Sequence, residues 1–551
     1  MTAISSEREL ARIAAAIAGR QNLTVQEARL CAGRAPDVST VNVVRGLIKA
    51  GLDPLGGTFE QLRLPQTRRK LGAVYTPQLI VQAMMGWAAD KGLPARVVDP
   101  GAGSGRFIAA AARLWPHASL VACEIDPLAS LIIRANAAAL EFSSRLTVVV
   151  GDYREMELTP IKKKTLFIGN PPYVRHHDIE SKWKQWFTSS ARELDFPASK
   201  LAGLHAHFFL RTRQLARRGD YGCFVTSSEW LDIGYGATIR EMLGNGLGGA
   251  SLHVLDAASM PFGSTMTTAV ITCFEVGTHR TGMGVQEVSS TADLKRLSPT
   301  RSVSWDDLLA AKRWSIFVRE RKEQPVGSIR IGDLFRVKRG LVTGCNKVWI
   351  EGLYPGQMPA RFLVPTVTKA RDIIAAGSKL RDSSKLRNVL FLPKSLAELS
   401  AHDRELIERF LRWAKEQGAD QTFTARNRSP WFHIGDRAPP AVLATYMGRG
   451  TPRFTRNLVG AQYLNIALGL YPHKGMSAAE LDAVTQYLQT NVSLSSGRTY
   501  AGGLVKFEPG ELEDVPIPTL EEIRDLTDAM DPRGDSGRSC PSAIDLSIRT
   551  N

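Results

Sequence analysis

The sequence predicts an α/β fold, a doubly wound and mostly parallel sheet of seven strands, on three observations. Short apolar runs alternate with helical stretches between residues 66 and 280, which is typical of repeated strand–helix units. A glycine-rich turn, 99-DPGAGSGRF-107, separates one such strand from an alanine-rich helix. Polar residues follow four successive strands at their carboxyl ends, where open sheets of this class bind ligands.

The predicted strands are short apolar runs bounded by turn signals. They are expected at 97–99, 119–124, 146–150, 166–168, 221–226, 251–255 and 268–274. The first four end at or just before Asp99, Glu124, Asp152 and Asn170. Because the carboxyl ends of parallel strands meet at one edge of a sheet, we expect these four side chains to lie close together.

The rest of the chain predicts further segments around the sheet domain. Two capping boxes, Ser6-x-x-Glu9 and Thr24-x-x-Glu27, precede apolar residues at helical spacing and indicate helices near the start. The predicted divisions are a helical extension at 1–65, the sheet domain at 66–280, an irregular connector at 281–325, a mixed α+β domain at 326–520 and a disordered tail at 521–551.

Composition narrows the class of function. A formal net charge of +16 over 551 residues favours a polyanionic partner, nucleic acid before an anionic surface. The longest apolar runs fall short of a membrane span, and the first residues lack the apolar core of a secretory signal, so we expect a cytosolic protein. Six scattered cysteines without a Cys-x-x-Cys pair predict neither a metal site nor a disulfide framework.

The segment 165-TLFIGNPPYVRHH-177 carries the residues best suited to chemistry. Pro171 and Pro172 stiffen the turn and donate no backbone hydrogen bond, so the loop presents bare carbonyl groups. The side-chain oxygen of Asn170 and a proline carbonyl can accept both hydrogens of an exocyclic amine, while Tyr173 covers the ring face. An Asn-Pro-Pro turn alone is equally consistent with a structural role. Its place after three strands that end in polar residues favours a site that makes an aromatic amine nucleophilic.

The glycine-rich turn favours S-adenosylmethionine over a dinucleotide as the ligand. Gly101, Gly103 and Gly105 let the backbone turn tightly and approach a bound molecule closely. Dinucleotide enzymes use a similar turn, so the glycines alone do not decide. Asp99 just before the turn would repel a pyrophosphate, whereas it suits a ligand that carries an ammonium group.

The two following acids suit the nucleoside part of such a ligand. Glu124 lies where a carboxylate accepts hydrogen bonds from ribose hydroxyls. Asp152 can accept from an adenine amino group, with the ring of Tyr153 stacked beside it. Each acid taken alone is equally consistent with a helix N-cap.

These motifs, in this order, resemble the gamma class of N6-adenine DNA methyltransferases of type II restriction–modification systems, which have a class I S-adenosylmethionine-dependent fold. The order is 72-GAVYTPQLIVQAM-84, DPGAGSG, Glu124-Ile125-Asp126-Pro127, Gly151-Asp152-Tyr153 and NPPY. The resemblance is specific over about 66–280 and looser in the C-terminal half, where 331–350 and 498–518 carry it. Minimal members of the class lack a counterpart of residues 1–65.

The resemblance implies a role for each motif residue. The implied cofactor contacts are Thr76 and Asp99 with the methionine part, Gly101 and Gly103 of the turn, Glu124 with the ribose, and Asp152 and Tyr153 with the adenine. Asn170, Pro171, Pro172 and Tyr173 are implied as the catalytic loop. The segment 262-FGSTMTTAVI-271 implies that Phe262 stacks on the flipped target adenine opposite Tyr173, with a core phenylalanine as the alternative.

The class also implies the partners. Residues 326–520 correspond to a domain that recognises double-stranded DNA, in which Arg336, Lys338, Arg339 and Lys506 are candidate phosphate contacts. Ordinary surface charge is an equal alternative for these four. The expected protein is an adenine-specific DNA methyltransferase of the prokaryotic cytoplasm, associated with the nucleoid through DNA, with a separate cognate restriction endonuclease and no metal.

Three alternatives stay open on the sequence alone. An RNA adenine methyltransferase would suit the same net charge. Protein glutamine methyltransferases resemble the NPPY arrangement but are much shorter and need no basic second domain. A non-catalytic DNA-binding subunit is the third, and the intact cofactor residues argue against it.

Overall fold

The computed structural model describes residues 4–21, 23–63, 72, 76–255, 269–318, 329–448, 450–492, 498–500 and 504–529. The chain divides into two compact units. The first comprises Met1–Glu320 and Tyr500–Gly503, and the second comprises Arg321–Thr499 and Leu504–Asn551. The predicted boundary near residue 325 lies outside the described residues.

In its described residues, the first unit is built on a nine-stranded sheet. The strands are β1 (Arg96–Pro100), β2 (Ser119–Glu124), β3 (Leu146–Val150), β4 (Thr165–Gly169), β5 (Tyr221–Ser227), β6 (Gly249–Leu255), β7 (Ala269–Glu275), β8 (Gly282–Val288) and β9 (Arg301–Ser304). Their order across the sheet is β3-β2-β1-β4-β5-β7-β6-β8-β9. The first five of these run parallel, as do β6 and β8, whereas β7 is antiparallel to both neighbours and β9 to β8.

All seven predicted strands are confirmed, but the prediction of an irregular connector at 281–325 is wrong over β8 and β9. Met283, Val285 and Val288 of β8 are buried. The strand pairs in parallel with β6, and β9 then pairs with β8. The composition of 282-GMGVQEV-288 has little strand propensity, so the open edge of β6, and not local preference, makes this segment a strand.

Helices cover both faces of the sheet, as a doubly wound fold requires. They are α1 (Glu7–Ala18), α2 (Val25–Leu30), α3 (Val38–Lys49), α4 (Pro54–Leu62), α5 (Gln78–Asp90), α6 (Arg106–Leu114), α7 (Pro127–Ala139), α8 (Ser181–Arg192), α9 (Leu204–Leu215), α10 (Ala237–Asn245) and α11 (Trp305–Ala310). One buried layer joins α5, α6 and α7 to the sheet, and the other joins α8, α9 and α10. Val97 and Val98 of β1 enter opposite layers, because successive strand residues point to opposite faces.

The predicted helical extension is confirmed by α1–α4. Ser6 caps α1 by accepting a hydrogen bond from the backbone of Glu9 at 3.2 Å. Thr24 and Glu27 form the predicted capping box at α2. The four helices pack their apolar residues against the face of α7 that does not contact the sheet.

The second unit has the predicted mixed α+β character. Its helices are α12 (Ile331–Leu334), α13 (Asn346–Trp349), α14 (Ala370–Ala376), α15 (Ala401–Glu416), α16 (Phe423–Arg426), α17 (Ala478–Asn491), α18 (Pro509–Glu513) and α19 (Leu520–Ala529). The strands that follow β9 are β10 (Ile329–Arg330), β11 (Phe335–Arg339), β12 (Leu363–Val367), β13 (Lys379–Leu380), β14 (Arg387–Leu390), β15 (Val442–Thr445), β16 (Met447–Gly448), β17 (Phe454–Asn457), β18 (Gln462–Tyr463), β19 (Ala467–Pro472), β20 (Arg498–Tyr500), β21 (Leu504–Lys506) and β22 (Pro516–Ile517). A five-stranded sheet in the order β11-β19-β15-β17-β13 and a three-stranded sheet β14-β12-β18 are its main layers.

The prediction of a disordered tail from residue 521 is wrong over α19. Ile523 is fully buried in the core of the second unit. Thr519 and Glu522 form reciprocal hydrogen bonds of 3.3 and 2.8 Å at the start of the helix. This capping box, Thr-x-x-Glu before an apolar residue, is the signal in the sequence that the prediction missed. Residues 530–551 lie outside the described part.

Three further findings concern membranes, metals and disulfides. None of the helices in the described ranges combines the length and the hydropathy needed to cross a membrane. The same ranges hold no group of three or more His, Cys, Asp or Glu side chains arranged to bind a metal ion. The cysteines that are described carry free thiols.

Candidate active site

The chain order of the strands reverses between β1 and β4, which lie side by side. Open α/β sheets bind ligands outside the carboxyl ends of the strands at such a reversal. Asp99 lies in β1 and Asn170 follows β4, so the two predicted residues flank this point. Glu124 ends the neighbouring strand β2, and Asp152 follows β3.

A cavity of about 600 Å³ opens at this edge of the sheet, a size typical of small-molecule sites. The predicted residues that line it are Gly101, Gly103, Glu124, Asp152, Tyr153, Asn170 and Pro172. The lining does not include the predicted residues Thr76, Asp99, Pro171 and Tyr173. Phe262 lies outside the described residues, so its stacking role stays a prediction.

The glycine-rich turn has the conformation that its residues predict. Gly101, Gly103 and Gly105 have φ values of 71°, 56° and 83°, in the left-handed region that glycine adopts most readily. A side chain at position 101 would approach the rings of Pro172 and Phe208 within 3.3 and 3.4 Å. The turn therefore packs directly against the predicted catalytic loop, and a side chain at position 101 would make a tight contact there.

Asp99 is fully buried, and neither of its carboxylate oxygens has a hydrogen-bond partner among the residues that the structure describes. Burial, with a further contribution from the charge of Glu124, raises the pKa of Asp99 well above its usual value. A buried carboxylate without a donor is costly. The arrangement suits a donor, above all a cation, from outside the described residues.

Glu124 is held in a fixed orientation at the cavity wall. One carboxylate oxygen accepts from the backbone of Gly103 at 2.7 Å, and the other accepts from the backbone of Asp126 at 2.9 Å. Burial raises the pKa of Glu124, although these backbone hydrogen bonds oppose the shift. A carboxylate oxygen can accept more than one hydrogen bond, so Glu124 can also accept from hydroxyl groups in the cavity.

Asp152 caps the short 3-10 turn Tyr153–Glu155 and pairs with Arg154. The Arg154 Nε and Nη2 atoms lie 2.8 and 2.5 Å from the two carboxylate oxygens. The guanidinium also lies 3.8 Å from the centre of the Trp183 ring. The structure thus gives Asp152 the capping role that was the alternative interpretation, and its contact with an adenine stays a prediction.

Tyr153 lies in the wall of the cavity and is almost fully buried. Its hydroxyl is hydrogen bonded to Thr212 at 3.0 Å, and its ring centre lies 5.1 Å from that of Phe208. The two rings give this end of the cavity an apolar wall.

The predicted catalytic loop, residues 170–173, is fixed by two hydrogen bonds to the segment before α5. The side-chain nitrogen of Asn170 donates to the Thr76 hydroxyl at 3.0 Å, and the backbone nitrogen of Tyr173 donates to the carbonyl of Gly72 at 3.0 Å. Because the amide nitrogen of Asn170 is directed at Thr76, its oxygen faces the other way and is set as an acceptor. The Tyr173 ring is half-buried, and its hydroxyl is enclosed with no hydrogen-bond partner in the described ranges.

Comparisons with known proteins identify the family. Residues 304–539 match the model of the type II methyltransferase M.Eco57I C-terminal domain, and residues 161–252 match that of the Eco57I restriction-modification methylase. Over 491 residues the chain is 47% identical to the type II methyltransferase M.XamI of Xanthomonas campestris pv. amaranthicola, covering 88% of this chain and 92% of that protein. The chain belongs to the type II DNA methyltransferases of restriction–modification systems. This membership decides against a protein glutamine methyltransferase.

Two further relatives of this methyltransferase are informative. A tRNA1(Val) (adenine(37)-N6)-methyltransferase of Porphyromonas gingivalis is 31% identical over 121 residues, which are 21% of this chain and 47% of that protein. The fold is similar to that of the type IIL restriction–modification enzyme MmeI, solved in complex with DNA, with a TM-score of 0.58. That likeness has 12% identity and covers 95% of this chain and 81% of that chain.

The methyltransferase uses S-adenosylmethionine, and the cavity fits this cofactor. The buried carboxylate of Asp99 would suit the ammonium group of the methionine part, because it has no hydrogen-bond partner among the described residues. Glu124 presents acceptors for ribose hydroxyls, and Ile125 beside it is 58% exposed and gives the cavity an apolar surface that suits a purine. When bound, the cofactor supplies an activated methyl group.

Several residues that shape this cavity were not predicted from the sequence. They are Phe59, Arg63, Ile125, Arg154, Trp183 and Phe208. Phe59, Arg63, Trp183 and Phe208 lie outside the motifs, so no local pattern marks them. Ile125 and Arg154 are the exceptions, because each lies in or directly after a motif that follows a strand.

The four candidate phosphate contacts of the methyltransferase differ in their surroundings. Arg336, Lys338 and Arg339 are exposed on β11. The ammonium group of Lys338 lies 5.2 Å from the Tyr471 ring centre, and Arg336 pairs loosely with Glu513 at 3.6 Å. Lys506 is mostly buried beside Tyr446 and pairs with Glu508 at 2.6 Å. The β11 cations are therefore better placed than Lys506 to meet a phosphate.

Proposed function

We propose that this type II methyltransferase transfers a methyl group to N6 of an adenine that is flipped out of a specific duplex DNA sequence. The observation that carries the proposal is the 3.0 Å hydrogen bond from the Asn170 amide nitrogen to Thr76, which directs the amide oxygen as an acceptor. The carbonyl of Pro171 follows it in a loop where two prolines donate no backbone hydrogen bond. This set of acceptors complements an amino group with two hydrogens.

The proposed chemistry depends on position and fixed dipoles. The lone pair of an adenine N6 is delocalised into the ring. Hydrogen bonds from its two hydrogens to the oxygens of Asn170 and Pro171 localise this lone pair toward the methyl group. The nitrogen would become cationic on gaining the methyl group, with S-adenosylhomocysteine as the other product, and would then lose one of its own two protons. An amide side chain does not titrate near neutral pH, so this loop provides no general base and acts through preorganised acceptors.

The target base has to leave the helix for this reaction. A stacked adenine cannot bring N6 to the loop, so the base flips out into the site. We propose that the Tyr173 ring covers one face of the flipped adenine and that Phe262 covers the other. The similarity to an adenine-N6 methyltransferase of tRNA supports the target atom, although it extends over 21% of this chain.

That same similarity makes RNA the second candidate substrate. The similarity to M.XamI extends over 88% of the chain, and the match to the M.Eco57I C-terminal domain covers residues 304–539. Both are type II methyltransferases, which favours duplex DNA. We further propose that the modification protects DNA from a separate cognate restriction endonuclease and that the enzyme associates with the nucleoid through its substrate.

The proposal is tested with purified protein, S-adenosylmethionine labelled in its methyl group, and either unmethylated duplex DNA or tRNA. Digestion to nucleosides followed by mass spectrometry identifies the methylated base. We expect label in N6-methyldeoxyadenosine from the duplex and none in tRNA. Label in N4- or C5-methyldeoxycytidine would contradict the target atom, and label in tRNA alone would contradict DNA as the substrate.

We propose that the exposed cations of β11 contact phosphates. Replacing Arg336 and Lys338 together by glutamine should weaken binding of all duplexes alike, because phosphate contacts carry no sequence information. The slope of log K against log salt should fall by about one unit per lost contact. Lys49→Gln, which removes one exposed cation paired with Glu141 on the first unit, is the control for loss of surface charge elsewhere and should leave the slope unchanged. An unchanged slope in the double variant would remove β11 from the DNA contact surface.

A further inference from the structure

The N-terminal helices share a core with the sheet domain. Leu10, Ile13 and Leu55 of these helices are buried together with Leu128 and Ile132 of α7. Four short helices bury too little apolar surface to be stable alone. The helices α1–α4 are therefore packed as a part of the methyltransferase domain.

The last of these helices extends to the cofactor cavity. Phe59, Glu60 and Arg63 line it together with Glu124 and Asp126. The Arg63 side chain is 11% exposed, and its guanidinium lies 4.4 Å from the centre of the Phe59 ring. Part of the cavity wall thus comes from a segment that the motifs of the catalytic domain do not include.

A first chain of contacts connects this helix to Glu124. Arg63 pairs with Asp126 and, at 3.1 Å, with Glu7. Burial by itself would lower the pKa of Arg63, but the two carboxylates outweigh it and raise the pKa, so the cation is kept. The backbone of Asp126 donates to Glu124 at 2.9 Å, and its side chain caps α7 by accepting from Leu128 at 2.8 Å. Arg63 therefore holds the loop that orients the Glu124 carboxylate.

A second chain of contacts connects the start of α4 to the catalytic loop. Asp53, the N-cap of α4, accepts from Arg106 Nε at 2.8 Å. Another nitrogen of Arg106 donates to the carbonyl of Thr76 at 2.7 Å. The Thr76 hydroxyl in turn accepts from Asn170 at 3.0 Å. The two chains of contacts thus end on Glu124 and on Asn170, both of which line the cavity.

We propose that the N-terminal helices are a positioning element of the cofactor site, in which Arg63 acts on Glu124 through Asp126 and Asp53 acts on Thr76 through Arg106. The proposal rests on the assignment of this cavity to S-adenosylmethionine. Cofactor affinity then depends on the contacts that Arg63 and Asp53 make at the two ends of α4, and a bound cofactor in turn stabilises α4.

The test compares Arg63→Met with Arg134→Met in the full chain. Arg134 pairs with the fully buried Glu27 at 2.8 Å, so it docks the same helices on α7, but neither residue lines the cavity. For Arg63→Met we expect the Kd of S-adenosylhomocysteine, measured by calorimetry, to rise about 10- to 100-fold, as misplacement of a binding group produces. The affinity of this variant for duplex DNA, measured without cofactor, should stay near that of the wild type.

The controls separate positioning from general stability. Arg134→Met should lower the thermal midpoint while leaving the Kd of S-adenosylhomocysteine unchanged. Arg63→Lys keeps the positive charge but lacks the planar guanidinium group, so it should recover part of the affinity for S-adenosylhomocysteine. Hydrogen exchange should show that S-adenosylhomocysteine protects the amides of α4 in the wild type and protects them less in Arg63→Met.

Two results would overturn the proposal. The first is unchanged affinity and unchanged α4 protection in Arg63→Met. The second is an equal loss of affinity for S-adenosylhomocysteine in Arg63→Met and Arg134→Met, which would show that the N-terminal helices only stabilise the fold. A wild-type protein that binds no S-adenosylhomocysteine would instead overturn the assignment of the cavity, on which the proposed function also depends.

Discussion

Replacing Asn170 by alanine should lower kcat by about 10²- to 10³-fold or more, the loss that follows removal of one preorganised polar group from an active site. The variant keeps Glu124, the glycine-rich turn and the whole second unit, so the affinities for S-adenosylhomocysteine and duplex DNA should change little. Single-turnover methylation, with both affinities measured separately, checks this result. Near-normal turnover would show that Asn170 is not the acceptor of the amine hydrogens.

Two further variants test the orientation of the amide. Asn170→Asp keeps an oxygen toward the substrate and can accept from the Thr76 hydroxyl, so we expect it to retain more activity than alanine. Thr76→Val removes the group that fixes the amide nitrogen at 3.0 Å. It should lower kcat by less than Asn170→Ala does, and Thr76→Ser should restore it. If Thr76→Val lowered kcat as much as Asn170→Ala, this would indicate that Thr76 itself contacts the reacting groups.

Replacing Asp99 by asparagine should weaken cofactor binding and stabilise the cofactor-free protein. Hydrogen bonds that involve a charged group contribute about 1.5–3 kcal/mol, so we expect the Kd of S-adenosylhomocysteine to rise about 10- to 100-fold. Without cofactor, the same change removes a fully buried carboxylate that has no partner among the described residues. Calorimetric titration and thermal unfolding of one preparation test both effects.

The gain in stability from Asp99→Asn should depend on pH with a definite sign. The pKa of Asp99 is raised in the folded protein, first by burial and then by Glu124. The folded state therefore holds this proton more tightly than the unfolded chain, and wild-type stability falls as the pH rises from about 4 through the folded pKa. Asp99→Asn has no such titrating group, so its stability does not fall in this way. Its gain in stability over the wild type should therefore be small at acidic pH and largest above neutrality.

Asp220 provides the matched control for a buried carboxylate. It is also buried, but it accepts hydrogen bonds from the backbone of Thr165 at 2.7 Å and of Arg217 at 2.8 Å. Asp220→Asn should therefore destabilise the protein, because an amide is a weaker acceptor for these donors. If the two substitutions changed the stability of the protein equally, Asp99 would not differ from an ordinary buried carboxylate, and its suitability for a cation would be contradicted.

The fold could be predicted from the sequence where local pattern and tertiary position agree. The seven strands and the helices α1 and α2 carry apolar periodicity and caps, and they lie where the patterns predict. β8 and β9 were missed because the edge of β6 makes them strands. The helix α19 was missed because its charged surface outweighed a capping box and one buried apolar residue, Ile523.

The candidate site was predictable to the extent that its residues lie at strand ends. Glu124, Asp152 and Asn170 do meet at one cavity, since parallel strands bring their carboxyl ends to the same edge. The partners that fix them could not be found in this way. Arg63 lies 63 residues before Asp126 in the sequence and on a different helix, and the spacing of the motifs contains no trace of that contact.

The most direct test of the central claim is long-read sequencing of the genome of a methylation-free host that expresses this chain, with modified bases scored by motif. We expect N6-methyladenine at nearly every copy of a single short motif, and no modification in cells that express Asn170→Ala. Modified cytosine at such a motif would contradict the assigned target atom. An unmodified genome, in cells whose expressed protein binds S-adenosylhomocysteine and duplex DNA, would contradict the proposed reaction itself.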